Sequence, residues 1–170
     1  MSPRCSLTFA DAAAMAGAKA IAESGVDPAR IALLIDTSVC RDHLEPSKAV
    51  AVHHQLGLSS ACMNFDLSNA CLGFVNGMQL AATMIDSGQI EYALIVDGEG
   101  SRHTQEVTLE RLSRPEATLA DLASQFASLT LGSGGAAMVL GRADTHPDGH
   151  RIIGGVTRGA TQHHELCIGT

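Results

Sequence analysis

Three short apolar runs, IALLID (31–36), ACMNFDL (61–67) and EYALIVDG (91–98), recur along the chain with a helix-forming segment between successive runs. Each run is short for a helix and is flanked by turn or loop residues, so each predicts a buried strand. Strands that alternate with helices are joined by crossovers, and crossovers return the chain in the same direction. The pattern therefore predicts an α/β chain with a mainly parallel sheet covered by helices on both faces. The crossovers are expected to be right-handed.

The remaining segments fill in this frame. TFADAAAMAGAKAIAES (8–24) is built of helix formers, with Thr8 placed as N-cap and Gly25 as the stop. TSVCRDHLE (37–45) reads as a polar loop, and Pro46 is expected in the first turn of a helix SKAVAVHHQL (47–56) that ends at Gly57. LGFVNGMQLAATMIDSG (72–88) is a further helix, and 103–129 contains a helix broken near Pro115. LGSGGAAMVLGRAD (131–144) is a glycine turn feeding a strand, 144–150 a hairpin-like turn, and RIIGGVTRGAT (151–161) another strand. The chain opens on a helix with no strand before it and ends with no helix after its last strand. That order is expected of one part of a larger unit.

Composition narrows the function. The 170 residues carry 11 Lys and Arg against 18 Asp and Glu, a net charge of −7, which is the wrong sign for a phosphate-binding surface. Aromatics are 3%, with no Trp and one Tyr, too few for base-stacking platforms. Nucleic acid is thus excluded as a general partner. The run Leu67–Ile85 is uncharged for 19 residues but holds Ser68, Asn69, Asn76, Gln79, Thr83 and two glycines. It reads as a buried helix rather than a membrane span. Five cysteines, an odd number without a CxxC pair, fit reduced thiols in the cytoplasm better than a disulfide framework.

Cys71 is the sharpest chemical feature. It follows a strand and a three-residue turn, Ser68-Asn69-Ala70, and opens a glycine-containing helix. A helix N-terminus presents unpaired N–H groups and the positive end of the dipole, a setting that stabilises anions. Thiolate is the nucleophilic form of cysteine. Such a turn also lies at the C-terminal edge of the sheet, where open α/β sheets place their sites. The competing reading is a small, buried, inert hydrophobe. Glu45, in the loop after the first strand, has two readings as well: a general base if burial raises its pKa, or an acid complementing a helix dipole. The eight histidines show no HExxH or finger spacing and read as solvated or core residues, with no metal assigned. Gly132-Ser133-Gly134-Gly135 lacks the lysine and the helix of a phosphate loop, and Gly98-Glu99-Gly100 reads as a turn after a strand.

The run FDLSNACLGFVNGMQLAATMIDSGQIEYALIVDGEGS (65–101) resembles the nucleophile region of the thiolase superfamily, in particular its type III β-ketoacyl synthases. LGSGGAAMVLGR (131–142) is similar to the glycine turn and strand that follow there. TSVCRDHLEPS (37–47), ALIVDGE, TLERL and GGVTRGAT resemble one branch, whose enzymes join two long fatty acyl-CoA chains head to head in long-chain olefin or β-lactone synthesis. The resemblance implies a thiolase-like fold, with residues 1–170 forming most of the N-terminal half and lacking its first strand and the whole C-terminal half. It implies Cys71 as an acyl-accepting nucleophile. It implies Glu45 as a general base that reaches across a dimer axis into the partner's site. Coenzyme A or acyl-carrier-protein thioesters are then substrates, and no resident cofactor is needed. The expected assembly is a homodimer, or a heterodimer with a chain supplying the second half. The alternatives are a type III synthase using malonyl-ACP, and a non-catalytic half-subunit.

Overall fold

The computed structural model describes residues 7–166; Cys5 and Cys167 lie outside them. Helix α1 (Phe9–Ser24) starts where the sequence places it. The Thr8 hydroxyl accepts from the Asp11 N–H at 3.0 Å, and the Asp11 carboxylate accepts from the Thr8 N–H at 2.9 Å. This reciprocal cap satisfies two otherwise unpaired donors. Gly25 ends the helix at φ 67°, a left-handed position that glycine adopts without strain. Ala10, Ala13, Ala14, Gly17 and Ile21 form its buried face. Their spacing of three, four and seven residues is that of one helical stripe.

Strands β1 (Ile31–Asp36), β2 (Met63–Asp66), β3 (Tyr92–Glu99) and β4 (Gly134–Leu140) form one sheet in the order β2-β1-β3-β4. β1 pairs parallel with β2 and with β3, while β4 runs antiparallel to β3. The mainly parallel α/β arrangement expected from the apolar runs is therefore present. From Leu33 onward side chains alternate across the sheet as strand geometry requires, and an irregular register between Ile31 and Leu33 sets Ile31 on the face of Leu34. Ile31, Leu34, Leu94 and Val96 pack with α1 and α2 (Lys48–Gln55) on one face. Leu33, Ile35, Ala93 and Ile95 pack with Ala81 and Ile85 of α3 (Gly73–Asp86) on the other. Helices α4 (Arg102–Leu112) and α5 (Leu119–Thr130) flank Pro115, the expected break. No helix among the described residues is long and apolar enough to cross a membrane.

Four boundaries differ from the sequence reading. Residues 151–160 form no strand; Ile153 is 97% exposed and a short 3-10 turn follows at Thr161–Leu166. A strand is held by a neighbour and a packed face, and here Gly154, Gly155 and Gly159 offer no side chain to pack. The turns within 144–150 accordingly lead into no hairpin. Pro46 precedes α2 instead of entering it: Ser47 is the N-cap, and the Glu45–Pro46 peptide is cis. The helix begins at Lys48 because the Asp66 carboxylate takes the N–H groups of Lys48 and Ala49, at 3.0 and 2.8 Å. Finally, β3 runs on through Gly98 and Glu99, paired with Gly135 and Gly134, where a turn was expected.

Gly98 shows why that pairing tolerates no side chain. A Cβ there falls onto the Phe9 carbonyl oxygen and 2.8 Å from the Ala13 nitrogen, both backbone atoms of α1. Gly132, by contrast, has open space around it. Gly98→Ala is expected to destabilise the chain by about 1–3 kcal/mol, the usual cost of overpacking, while Gly132→Ala stays within about 0.5 kcal/mol. Urea unfolding midpoints of the two variants check this.

Candidate active site

The three parallel strands end side by side. In register, Asp36 of β1 lies opposite Asp66 of β2, and opposite Val96, the residue before Asp97 of β3. The loops that leave these strand ends carry both residues singled out by sequence, so Glu45 and Cys71 project from the same edge of the sheet. The Leu67 N–H donates to the Asp36 carbonyl at 2.8 Å, which continues the β2–β1 pairing one residue past the strand.

Beyond Leu67 the chain turns sharply. Ala70 has φ 44°, the one non-glycine residue with positive φ among the described residues. Such backbone costs of order 1 kcal/mol or more for an L side chain and clusters at functional sites. Ala70–Leu72 form a 3-10 turn that runs directly into α3. Cys71 is exposed on it. Two glycines make this approach feasible. A Cβ at Gly73 would sit 2.8 Å from the Thr37 carbonyl oxygen, and one at Gly77 3.2 Å from the Thr37 methyl and 3.3 Å from Ile95. Helix α3 thus begins pressed against the end of β1, with the thiol on its open side.

Under the Glu45 loop lies a polar network that the sequence reading passed over. Lys48 is 4% exposed and Asp36 is 1% exposed. The Lys48 ammonium donates to the carbonyls of Cys40 (3.2 Å) and Gly98 (3.1 Å) and lies 3.5 Å from Asp36 Oδ1. Asp36 Oδ1 also accepts from the Ser38 N–H at 2.9 Å, whereas Oδ2 is buried without a hydrogen-bond partner. Burial pushes the Asp36 carboxyl above the ordinary range, opposed by the Lys48 charge. Burial, then the neighbouring Glu99 charge, likewise raises Asp97, whose carboxylate accepts from the Thr37 hydroxyl at 3.1 Å. Glu99 holds the first part of the loop through the N–H groups of Val39 (2.6 Å) and Cys40 (3.0 Å). A signal for this network was present: an aspartate closes each of IALLID, MNFD and LIVD.

Glu45 itself is exposed, and nothing among the described residues buries it. Cys40 and Cys62 differ from Cys71. The Cys40 thiol donates to the Gly100 carbonyl at 3.3 Å, and burial raises its pKa. Cys62 is buried, and its pKa is pushed up to about 11 by desolvation. His53 Nε2 lies 3.0 Å from the Ser59 carbonyl and His146 Nε2 2.9 Å from the Tyr92 hydroxyl. Among the described residues no cluster of His, Cys, Asp and Glu is arranged to hold a metal. The Gly132–Gly135 turn opens β4, and the Ser133 hydroxyl accepts from the Ser101 N–H at 3.0 Å.

A cysteine on a strained turn at the C-terminal edge of such a sheet has close counterparts. The family model for 3-oxoacyl-[acyl-carrier-protein] synthase III matches residues 65–159. The chain is 50% identical over 159 residues to an acyl-CoA:acyl-CoA alkyltransferase of Xanthomonas campestris pv. campestris, covering 94% of this chain and 47% of that protein. It is 35% identical over 144 residues to a β-ketoacyl-[acyl-carrier-protein] synthase III of Streptomyces lividans, covering 85% and 36%. A crystal structure of a Xanthomonas campestris OleA variant with bound lauric acid and lauroyl-CoA superposes with a TM-score of 0.93 at 47% identity, covering 98% of this chain and 50% of that one. The chain spans about half the length of the curated relatives it matches. The strand, the strained turn at Ala70, the glycine-packed helix and these matches make the chain a member of the 3-oxoacyl-[acyl-carrier-protein] synthase III family of thiolase-like condensing enzymes.

Proposed function

We propose that the chain serves the condensation of two fatty acyl-CoA molecules, with Cys71 as nucleophile and Glu45 as general base. The observation that carries this reading is the exposed thiol of Cys71 on a strained turn that opens α3. The Cys71 thiolate attacks the thioester carbonyl of the first acyl-CoA. The tetrahedral oxyanion collapses, coenzyme A leaves, and the acyl group stays on sulfur. Backbone N–H groups at a helix start are suited to stabilise such an oxyanion. The Glu45 carboxylate then takes an α-proton from the second acyl-CoA. The resulting enolate forms a carbon–carbon bond to the acyl carbonyl, and the Cys71 thiolate is expelled. The product is a β-ketoacyl-CoA, and no resident cofactor enters either step.

Identity favours the acyl-CoA branch over a malonyl-ACP-dependent synthase, at 50% against 35%. Residues 1–170 then correspond to most of the N-terminal half of the thiolase-like unit, and a second half completes the site. We assign the protein to the cytoplasm, where Cys40, Cys62 and Cys71, all free, stay reduced. Glu45 faces solvent within its own chain, which fits a base supplied across an interface to a partner's site. β2 is an edge strand with Met63 exposed, and an open edge invites pairing with a second copy. Light scattering at high concentration is expected to show a dimer; a strictly monomeric species overturns the cross-interface role of Glu45.

Alkylation tests the nucleophile. At pH 8 Cys62, with a pKa of about 11, is ionised to only about one part in a thousand. Iodoacetamide mapping of the folded chain is expected to label Cys71 at least about tenfold faster than Cys40 or Cys62. Cys62 labelling should keep rising toward pH 11. A slow Cys71 removes it from the mechanism.

The division of roles is tested with Glu45→Gln, which keeps the shape but cannot take a proton. The chain is incubated with lauroyl-CoA, alone and mixed with the C-terminal half of a family relative. Intact mass reports acylation of Cys71, and product mass reports condensation. Glu45→Gln is expected to acylate at the wild-type rate and to condense at least about a hundredfold more slowly. The chain alone is expected to acylate once and yield no β-keto product, because the second half supplies the further groups of the site.

A further inference from the structure

The loop that carries Glu45 is closed on itself by one side chain. Asp66, the last residue of β2, accepts from Arg41 Nη1 at 2.7 Å and from the Lys48 N–H at 3.0 Å through the same oxygen, Oδ2. Its other oxygen accepts from the Ala49 N–H at 2.8 Å. Arg41 stands at the start of the exposed stretch and Lys48 just past its end, so residues 41–47 form an arch with both feet on one carboxylate, while the Asp42 carboxylate ties its first turn to α1 by accepting from the Phe9 and Ala10 N–H groups at 3.3 and 3.2 Å. Asp66 is also five residues before Cys71 in the chain. The link from strand to nucleophile is short: Leu67 bonds the Asp36 carbonyl, and the strained turn at Ala70 follows. Upstream of the arch, Glu99 and the Lys48 ammonium hold Cys40 by its N–H and its carbonyl.

The geometry points to Asp66 and Arg41 as positioning residues that fix the height and direction at which Glu45 is presented to the partner's site. The inference rests on the reading of Glu45 as the base. A carboxylate held between a guanidinium and two amides is a stiff anchor, since each bond is charge-assisted. The side chain of Glu45 is long and flexible, and its reach into a second site depends on where the arch sets its backbone. A base placed loosely loses rate because the reacting atoms spend little time in attack geometry. Helix α2 needs a cap at Lys48 and Ala49 for its own stability. The Arg41 bond contributes nothing to that cap, so Arg41 separates positioning from folding.

Three variants decide this. Arg41→Gln removes the partly exposed foot of the arch and leaves the α2 cap in place. Arg41→Lys keeps a cation able to reach the single oxygen it contacts. Asp66→Asn weakens both feet. Limited chymotryptic cleavage after the exposed Leu44 in the 170-residue chain is expected to run about tenfold faster in Arg41→Gln and Asp66→Asn, with Arg41→Lys near wild type. In the lauroyl-CoA assay, with the relative's C-terminal half present, Arg41→Gln is expected to leave Cys71 acylation unchanged. Its condensation kcat should fall about tenfold at an unaltered KM, with Arg41→Lys restoring most of the rate. Wild-type cleavage after Leu44 in Arg41→Gln overturns the arch. So does wild-type condensation in Arg41→Gln where Glu45→Gln is inactive. Condensation unimpaired by Glu45→Gln refutes the base assignment instead, and the cleavage result then reports on the arch alone.

Discussion

Lys48 carries an ammonium into the interior, and three oxygen atoms from three separate segments hold it there. One belongs to the end of β1, one to the loop that follows it, and one to the end of β3. Taking a cation and a carboxylate out of water costs several kcal/mol per ion, and the attraction between them recovers this only where hydrogen bonds complete the shell. Lys48 has three donors and three acceptors within reach, so its shell is closed. Removing it leaves Asp36 buried at 1% exposure without its counter-charge. The strand ends, the loop start and the first residue of α2 therefore move together or not at all. The C-terminal edge of the sheet behaves as one platform.

Cys71 rests on the same platform by a different device. No charge holds Cys71; close packing does. Gly73 and Gly77 let α3 come within van der Waals distance of Thr37, the residue after Asp36. Any larger side chain at Gly73 meets a carbonyl oxygen, which cannot rotate away. The elbow at Ala70 takes up the geometry that results. Electrostatics fixes one loop and sterics the other, and both refer back to the end of β1, which is buried from Ile31 to Ser38 apart from Ala32.

Local pattern was enough wherever a residue's surroundings lie close in the chain. α1 with its Thr8 cap and Gly25 stop, the apolar runs of β1 and β3, and the break near Pro115 were all legible that way. Where a distant residue decides, pattern misled. The start of α2 is set by Asp66, 18 residues away, and overrode the preference of Pro46 for a first helical turn. RIIGGVTRGAT has strand-like composition but neither a packed face nor side chains at its glycines. The strand-ending aspartates were visible in sequence but counted only as members of their strands, because apolar periodicity scores positions that face a core and ignores what the polar residue at the end does. At the site the contrast is the same. The strand, turn and helix around Cys71 were legible because they are contiguous in the chain. The setting of Glu45 was not, because its own chain leaves it in solvent.

The direction of β4 completes the division between the two ends of the sheet. It runs against β3, so its first residue, Gly134, pairs with Glu99 at the platform, while Leu140 pairs with Ala93 at the far end. The glycine turn before β4 therefore lies at the chemical edge, where Ser133 fixes Ser101 and so the start of α4. At the opposite edge Tyr92 bonds His146, and Arg30 lies over the Tyr92 ring at 4.9 Å. Those contacts tie the turn after β4 to the start of β3 and touch neither Cys71 nor Glu45. A parallel sheet gathers every strand end and every following loop on one side. One antiparallel strand at its margin brings a further turn to that side without adding another helix. Two parallel neighbours, β1 and β2, are the smallest arrangement that presents the Glu45 loop and the Cys71 turn from one edge.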